Sequence, residues 1–517
     1  MSSPPAAPGF LQKLGLFDAT MLIVGTMIGS GIFIVSADIA QDVGSTGWLL
    51  AIWVATGLIT IMGGLCYAEL AAMMPHAGGQ YVFLREAFSP LWGFLYGWSV
   101  ILIIQAGSIA AVGVAFAKFL GVLVPSLGVT SDKALLFKHT FAQKVELFLP
   151  LPWLEKPLLV FERTSFTIHA GQVVALGVIA FLTLLNCVGV REGKWVQNIF
   201  TVAKTLALVA LIGVGLFVAI NADAIAANRA NLWAGIESTE RFSAVSKLVN
   251  GPIWLVALMV AAGAMVGSLF SADAWNNVTF TAGEIRNPRR NLPLSLILGP
   301  GVVIVLYLLA NLAYVGALPV MGTKDGATPF DRGIAYASDG RVATAVLELA
   351  TPTWGVELMA VAVMVSTFGC VNGMILMGAR LYHAMAVDGL FFRSVGRLNS
   401  RGVPAVGLLL QGAWSILLVF SGTYNELLDY VIFAALLFYV LTVAGLFVLR
   451  VRQPNLERPV KAFGYPVVPA LYITACAAIM LALLVVRPEY TWPGLILVLT
   501  GIPVYFLWRP KANRSTV

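Results

Sequence analysis

Apolar runs of about 20 residues recur along almost the whole chain, and the connections between them carry most of the charge. Hydrocarbon offers no water to a backbone N–H or C=O, so each such run must close its hydrogen bonds within itself, as a helix. The fold class is therefore all-α and integral to a bilayer, with lipid as the first partner. Composition agrees: 59% of residues are hydrophobic and 11% charged, against roughly 25% charged in a soluble domain. The formal net charge of +7 is spread over short connections rather than gathered in an aromatic-interleaved patch. It reads as positive-inside topology, and no nucleic acid partner is expected.

Breaking the runs at Gly, Pro and charge gives about twelve spans. They centre on 19–36, 47–73, 91–124, 168–190, 195–220, 251–281, 294–317, 356–385, 404–420, 427–450, 467–486 and 493–508. Arg191 and Lys194, then Arg286, Arg289 and Arg290, then Arg380, Arg393, Arg397 and Arg401, then Arg450, Arg452, Arg458 and Lys461 fall on alternate connections. That shared side, with both termini, is expected to be cytoplasmic and the membrane the cell membrane. The opposite connections are longer, 125–167 above all, while 223–250 and 319–351 are left without assigned structure. No removable signal peptide is evident at the start. The organisation expected is a tail (1–18), a five-helix repeat (19–220), a connection (221–250), a second five-helix repeat (251–450), and two further helices with a tail (451–517).

Two spans look interrupted. The first carries Gly29-Ser30-Gly31 at its middle, inside GTMIGSGIF, and the sixth carries GSLFSADAWNN, with Ser268, Ser271, Asp273, Asn276 and Asn277 at bilayer depth. Each opens a group of five spans, the pattern of an inverted-repeat transporter with broken helices 1 and 6. Simpler readings exist: Gly25-xxx-Gly29 suits close helix packing, Ser30 could bond back to its own helix, and Asp273 could cap an unwound end. Together the breaks favour a binding site. Unwinding at Gly29, Ser30 and Gly31 exposes N–H groups at the positive start of one half-helix and carbonyls at the end of the other. A carboxylate suits the former and an ammonium the latter, so the ligand carrying both is an α-amino acid.

The stretches GTMIGSGIF, YAELAAMMPHAGGQYVFLREAFSPLWGFLYGW, KWVQNIFTVAKTLAL, GEIRNPRRNLPLSLI with YLLANLAYVGAL, and FGCVNGMILMGARLYHAMAVDGLFF resemble the L-type amino acid transporter (LAT) family of the APC superfamily, in a bacterial-type member. The resemblance implies a LeuT-type fold and Na⁺-independent transport of L-amino acids, neutral ones foremost, by alternating access as an exchanger. It implies that the carboxylate meets the N–H groups of Ser30 and Gly31, and the amine the carbonyls of Met27, Phe270 and Asp273, with Phe270 as outer gate. Gly29, Ser271 and Ala274 complete that site. Many animal members read Phe-Ala-Tyr-Gly-Gly-Trp where this chain has Phe270-Ser271-Ala272-Asp273-Ala274-Trp275, which leaves the side-chain pocket open, polar and cationic substrates included. Animal members are also tethered to a heavy chain through a cysteine in the loop after helix 3. The loop 125–167 has no cysteine, so no disulfide-linked heavy chain is expected.

Lys204 lies roughly 13 Å along its helix from Trp195, deeper than a lysine reaches by snorkelling. The family reading puts its ammonium where Na⁺-driven relatives of the fold bind sodium, facing carbonyls near Gly25 and Thr26, with Ser366 or Thr367 as further acceptors. Release of its proton during the cycle would make the carrier a proton-coupled symporter. No cofactor or metal is expected, since the four cysteines have no ligand-like spacing and the four histidines sit near span ends. An enzyme would need a clustered constellation that is not visible, and a channel a filter. A non-transporting amino-acid sensor would use the same pocket and stays open.

Overall fold

The computed structural model describes residues 12–129, 132–140, 144–147, 159–162, 165–249, 251–420 and 424–508. Most of the expected first tail, parts of the loop 125–167, the end of the last tail and the side chain of Arg191 lie outside them.

The first span is two helices, α1 (Leu16–Met27) and α2 (Gly31–Val43), with residues 28–30 non-helical between them. α3 (Thr46–Met73) is continuous. A turn with Gly78 and Gly79 at φ +100° and +45° leads into α4 (Gln80–Ala87), and a Cβ on Gly79 would overlap Thr279. The third span joins α5 (Pro90–Ser99) to α6 (Gln105–Leu123) through a π-helical stretch, Val100–Ile104. Strands β1 (Leu135–Thr140), β2 (Lys144–Leu147), β3 (Leu159–Glu162) and β4 (Ser165–His169) follow, pairing antiparallel as β1 with β4 and β2 with β3. The described residues of the long connection thus form two nested strand pairs where no structure was assigned. Helices α7 (Ala170–Val188) and α8 (Val190–Phe217) complete the first five spans.

The connections left unassigned hold short helices: α9 (Ala222–Ala230) and α10 (Glu240–Val249) in one. α11 (Ile253–Ser271) is the first half of the sixth span and ends short of a ten-residue 3₁₀ helix, Trp275–Glu284. α12 (Pro288–Ala317) follows, and the next connection holds α13 (Pro329–Arg332) and α14 (Val342–Ala350). The remaining spans are α15 (Gly355–Val387), α16 (Ala405–Val419), α17 (Tyr424–Arg452), α18 (Val467–Val486) and α19 (Pro488–Trp508). Among the described residues, 11 helical segments are long and apolar enough to cross a membrane; α16, expected as a span, is apolar but has 15 residues.

Burial orders these elements. The first span is 89% buried and the last two are 28% and 22% buried. The interrupted span is therefore central, and the final pair presents its apolar surface outward, as lipid requires. α1 packs on α8, α12 and α15, and α2 on α11, so the two breaks face each other. At one end of the bundle, Arg380 on α15 pairs with Glu284 at 2.9 Å, both 1% exposed, and a carbonyl of the same turn, Leu376 O, also accepts from Arg380. Arg380→Met would leave Glu284 buried without its partner. The expected cost is about 3–5 kcal/mol, read as a lower thermal midpoint in detergent, part of which Glu284→Gln should restore in the double variant.

Candidate functional site

The site is built from main-chain groups that the two breaks release. At the end of α1, four consecutive carbonyls turn away from helical partners, and protein donors take each of them. Thr26 O accepts from Cys370 Sγ at 3.0 Å, and Met27 O from the Tyr307 hydroxyl at 2.8 Å and Gly29 N at 2.8 Å. Ile28 O accepts from Lys204 Nζ at 2.8 Å and Ser366 Oγ at 3.0 Å, and Gly29 O from Ser366 Oγ at 2.9 Å. The Tyr307 hydroxyl also lies 3.0 Å from Ser271 O, so one side chain bridges both breaks.

Some groups stay open. Among the described residues no protein acceptor meets the N–H groups of Gly31 and Ile32, the first turn of α2, and no protein donor meets the carbonyl of Asp273. Gly31 and Asp273 line the same small cavity, which thus meets the positive end of a helix and a bare carbonyl; Ile32 is not among its lining residues. Met27, Gly29, Ser30, Gly31, Phe270, Ser271, Asp273 and Ala274 all line a single cavity with Thr26, Ser108, Val112, Cys370 and Met374. Its volume is about 20 Å³, enough for the centre of one water, so a ligand enters only if the walls part. Phe270, half-buried on the last turn of α11, forms part of the wall.

The glycines have separate duties. A Cβ on Gly25 would stand 2.1 Å from Gln197 Nε2 and 2.2 Å from Thr201 Oγ1, so Gly25 serves helix packing against α8. A Cβ on Gly31 would stand 2.0 Å from Ser271 Oγ and 2.7 Å from Ser271 Cβ. Gly31 is thus held by the opposing break as well as by any ligand.

Asp273 does not project freely into the cavity. Its carboxylate accepts from the Tyr439 hydroxyl and the Ala274 N–H, and Tyr439 reaches Asn276 Oδ1 at 3.2 Å. Asn276 continues to Gln80 at 2.7 Å, and Gln80 to Thr442 at 2.9 Å. Ala274 sits at φ +66°, a conformation that costs an L-residue about 1–2 kcal/mol and that explains a glycine in the related motif. Beyond Asp273 and Ser108 lies a second small cavity, walled by Tyr96, Gln105, Asn276, Asn277 and Tyr439.

Lys204 is fully buried, and its three ammonium protons meet three carbonyls: Gly25 O, Ile28 O at 2.8 Å and Ser366 O at 3.2 Å. Two expected partners differ. Thr26 O is occupied by Cys370, and the Thr367 hydroxyl bonds back to Val363 O at 2.9 Å, so neither holds the lysine. Ser366 does so through its main chain while its hydroxyl serves α1.

Sequence reasoning assigned no role to α12. Tyr307, Asn311 and Tyr314 form a polar stripe at i, i+4 and i+7 on an otherwise apolar helix, the signal that could have found it. Tyr314 donates to Ile32 O at 3.1 Å, and Asn311 accepts from Ser36 Oγ at 2.6 Å. This stripe holds both sides of the first break.

A multi-pass helical bundle with a small cavity between two broken helices is the architecture of a membrane carrier of small solutes. The chain belongs to the amino acid permease family, which it matches over residues 14–506. It is 29% identical to the mouse b(0,+)-type amino acid transporter 1, over 96% of this chain and 88% of that protein. It is 30% identical to the human large neutral amino acids transporter small subunit 2, over 99% and 84%, and to the mouse Asc-type amino acid transporter 1, over 97% and 82%. The protein is thus an amino acid transporter of the membrane and not an enzyme.

Two outcomes check the geometry. Gly31→Ala should abolish uptake of labelled amino acid in proteoliposomes, and Ser271→Gly, which removes the colliding side chain, should restore a measurable part. Tyr307→Phe removes the single hydroxyl proton shared by Met27 O and Ser271 O. Met27 O keeps Gly29 N, so one group is left unmet, at about 1–3 kcal/mol, and both thermal midpoint and uptake should fall.

Proposed function

We propose that this chain exchanges neutral L-amino acids across the cell membrane without sodium, as a bacterial-type member of the LAT group, with both termini cytoplasmic. The observation that carries the proposal is Lys204: a permanent cation, tied by three carbonyls to α1 and α15, fills the kind of oxygen-lined space that would otherwise take a metal cation. In this reading the substrate carboxylate docks on the N–H groups of Gly31 and Ile32, with Ser30 beside them, and the amine on Asp273 O. Met27 O joins only if the Tyr307 hydroxyl yields, and Phe270 closes the site from outside. Asp273 and the polar cavity behind it receive the side chain.

The relative called a small subunit belongs, by its name, to a larger assembly. For this chain we propose action without a disulfide-linked heavy chain, since residues 125–167 hold no cysteine. Nonreducing against reducing electrophoresis from the native membrane tests it, and a large mass shift on reduction would overturn it.

Uptake should be indifferent to replacement of Na⁺ by choline and should be stimulated by unlabelled amino acid inside the vesicle. Lys204→Ala leaves Gly25 O without a donor, at about 1–3 kcal/mol. It also strips the ammonium from Ile28 O and Ser366 O, which keep the Ser366 hydroxyl and a helical N–H respectively, and it should lose most transport. A sodium requirement in the unaltered protein would overturn the reading. Accumulation driven by a pH gradient with no internal substrate would replace exchange by proton symport, and binding without counterflow would indicate a sensor. Asp273→Gly removes a carboxylate and its volume, so the ranking of substrates should shift toward larger side chains in a competition panel.

A further inference from the structure

One turn beyond the central cavity, toward the face opposite the basic connections, lies a larger space of about 200 Å³. Val35 and Gly267 form its floor and are in close contact: a Cβ on Gly267 would stand 2.4 Å from Val35 Cγ1. Val35 is four residues beyond Gly31, so the floor sits about 6 Å from the central site. Gly263 and Ala264 make room along α11, and the upper wall is charged: Asp38 and Asp42 on α2, Arg241 on α10, Asp429 on α17 and Arg487 after α18.

Pairing among these groups is uneven. Arg487 binds Asp429 at 3.0 Å but Asp42 only at 3.4 Å, and Arg241 meets Asp42 at 3.4 Å. Nε of Arg487 is buried with no acceptor. Asp38 has no hydrogen-bond or ion-pair partner among the described residues, although it lines the same space. Three carboxylates thus line the space with two guanidiniums. Asp38 makes no direct pair, its cationic neighbours Lys118 and Arg487 acting on it only through space, and the longer contact of Arg487 is the one most readily exchanged.

We propose that this vestibule is a second, weaker site for the zwitterionic head group of an α-amino acid. The substrate carboxylate takes the place of Asp42 on Arg487, and the substrate ammonium docks between Asp38 and the released Asp42. That exchange breaks one ion pair, Arg487 with Asp42, and makes two, so entry leaves no charge unpaired. Side chains are not read here; the space is wide and the recognition is confined to the head group. Head-group selection therefore precedes passage between Val35 and Gly267 into the central cavity. The inference rests on the amino acid reading and goes beyond it.

Asp38→Asn tests it cleanly, because it breaks no ion pair and keeps the shape. With labelled L-alanine on purified protein in nanodiscs, the unaltered chain should show a strong and a weak saturable component. Asp38→Asn should weaken the weak component about tenfold and leave the strong one, whereas Gly31→Val should lose the strong one and keep the weak. Alaninamide, which lacks the carboxylate, should not displace the weak component. In oriented proteoliposomes Asp38→Asn should raise KM from the vestibule side only. One class of sites in the unaltered protein, or an unchanged weak component in Asp38→Asn, would overturn the vestibular site and leave the charges as a latch between helices. Absence of any binding together with absence of uptake would overturn the amino acid reading with it.

Discussion

A helix broken inside hydrocarbon leaves backbone groups that only the protein can satisfy, and everything around the two interruptions answers to that demand. Cys370, Tyr307, Lys204 and Ser366 take the carbonyls from Thr26 to Gly29. Tyr314 and Asn311 steady the opposite half-helix. What remains, among the described residues, is a small set of groups without a protein partner, the N–H groups of Gly31 and Ile32 and the carbonyl of Asp273. The site is defined by this selective saturation: a bundle that satisfied every group would have no reason to bind, and one that satisfied fewer would not hold its shape.

Lys204 ties the arrangement together because an ammonium offers three protons and finds three carbonyls on two other elements. Its ammonium is attached to α8 and, unlike a mobile ion, does not leave the protein when the cavity opens. The first break therefore keeps the lysine as a donor in every conformation that preserves those contacts, without a stage at which a metal ion must bind or leave. Close packing of Gly25 against Gln197 and Thr201 brings α1 near enough for the lysine to reach. The small-residue spacing in the first span thus serves packing and, through it, the cation.

Much of this was legible in sequence because the bilayer makes the signals strong. Span positions follow from apolar runs, and both interruptions follow from Gly29-Ser30-Gly31 and from the polar cluster around Asp273. Lys204 stands out because a charge at that depth needs partners. The partners themselves were half legible: Gly25 and Ser366 hold the lysine, whereas Thr26 and Thr367 do not, since which carbonyl points outward depends on local dihedrals that composition does not encode. The stripe of Tyr307, Asn311 and Tyr314 carried a readable period but no charge to draw attention to it. The strand pairs after the third span and the ion pairing of the vestibule depend on contacts between distant segments, beyond the reach of local pattern.

The π-helical stretch Val100–Ile104 bears on how such a pocket changes over generations. It lengthens one turn just before Gln105 and Ser108, and Gln105 links Asn277 to Met374 O at 3.0 and 2.7 Å. Loss of a single codon there would tighten the turn and rotate both residues by roughly 100° about the helix axis, exchanging the groups that face the substrate while leaving every other helix in register. For this carrier, chain length within one turn is a heritable variable, separate from residue identity, through which lineages can diverge in what they carry.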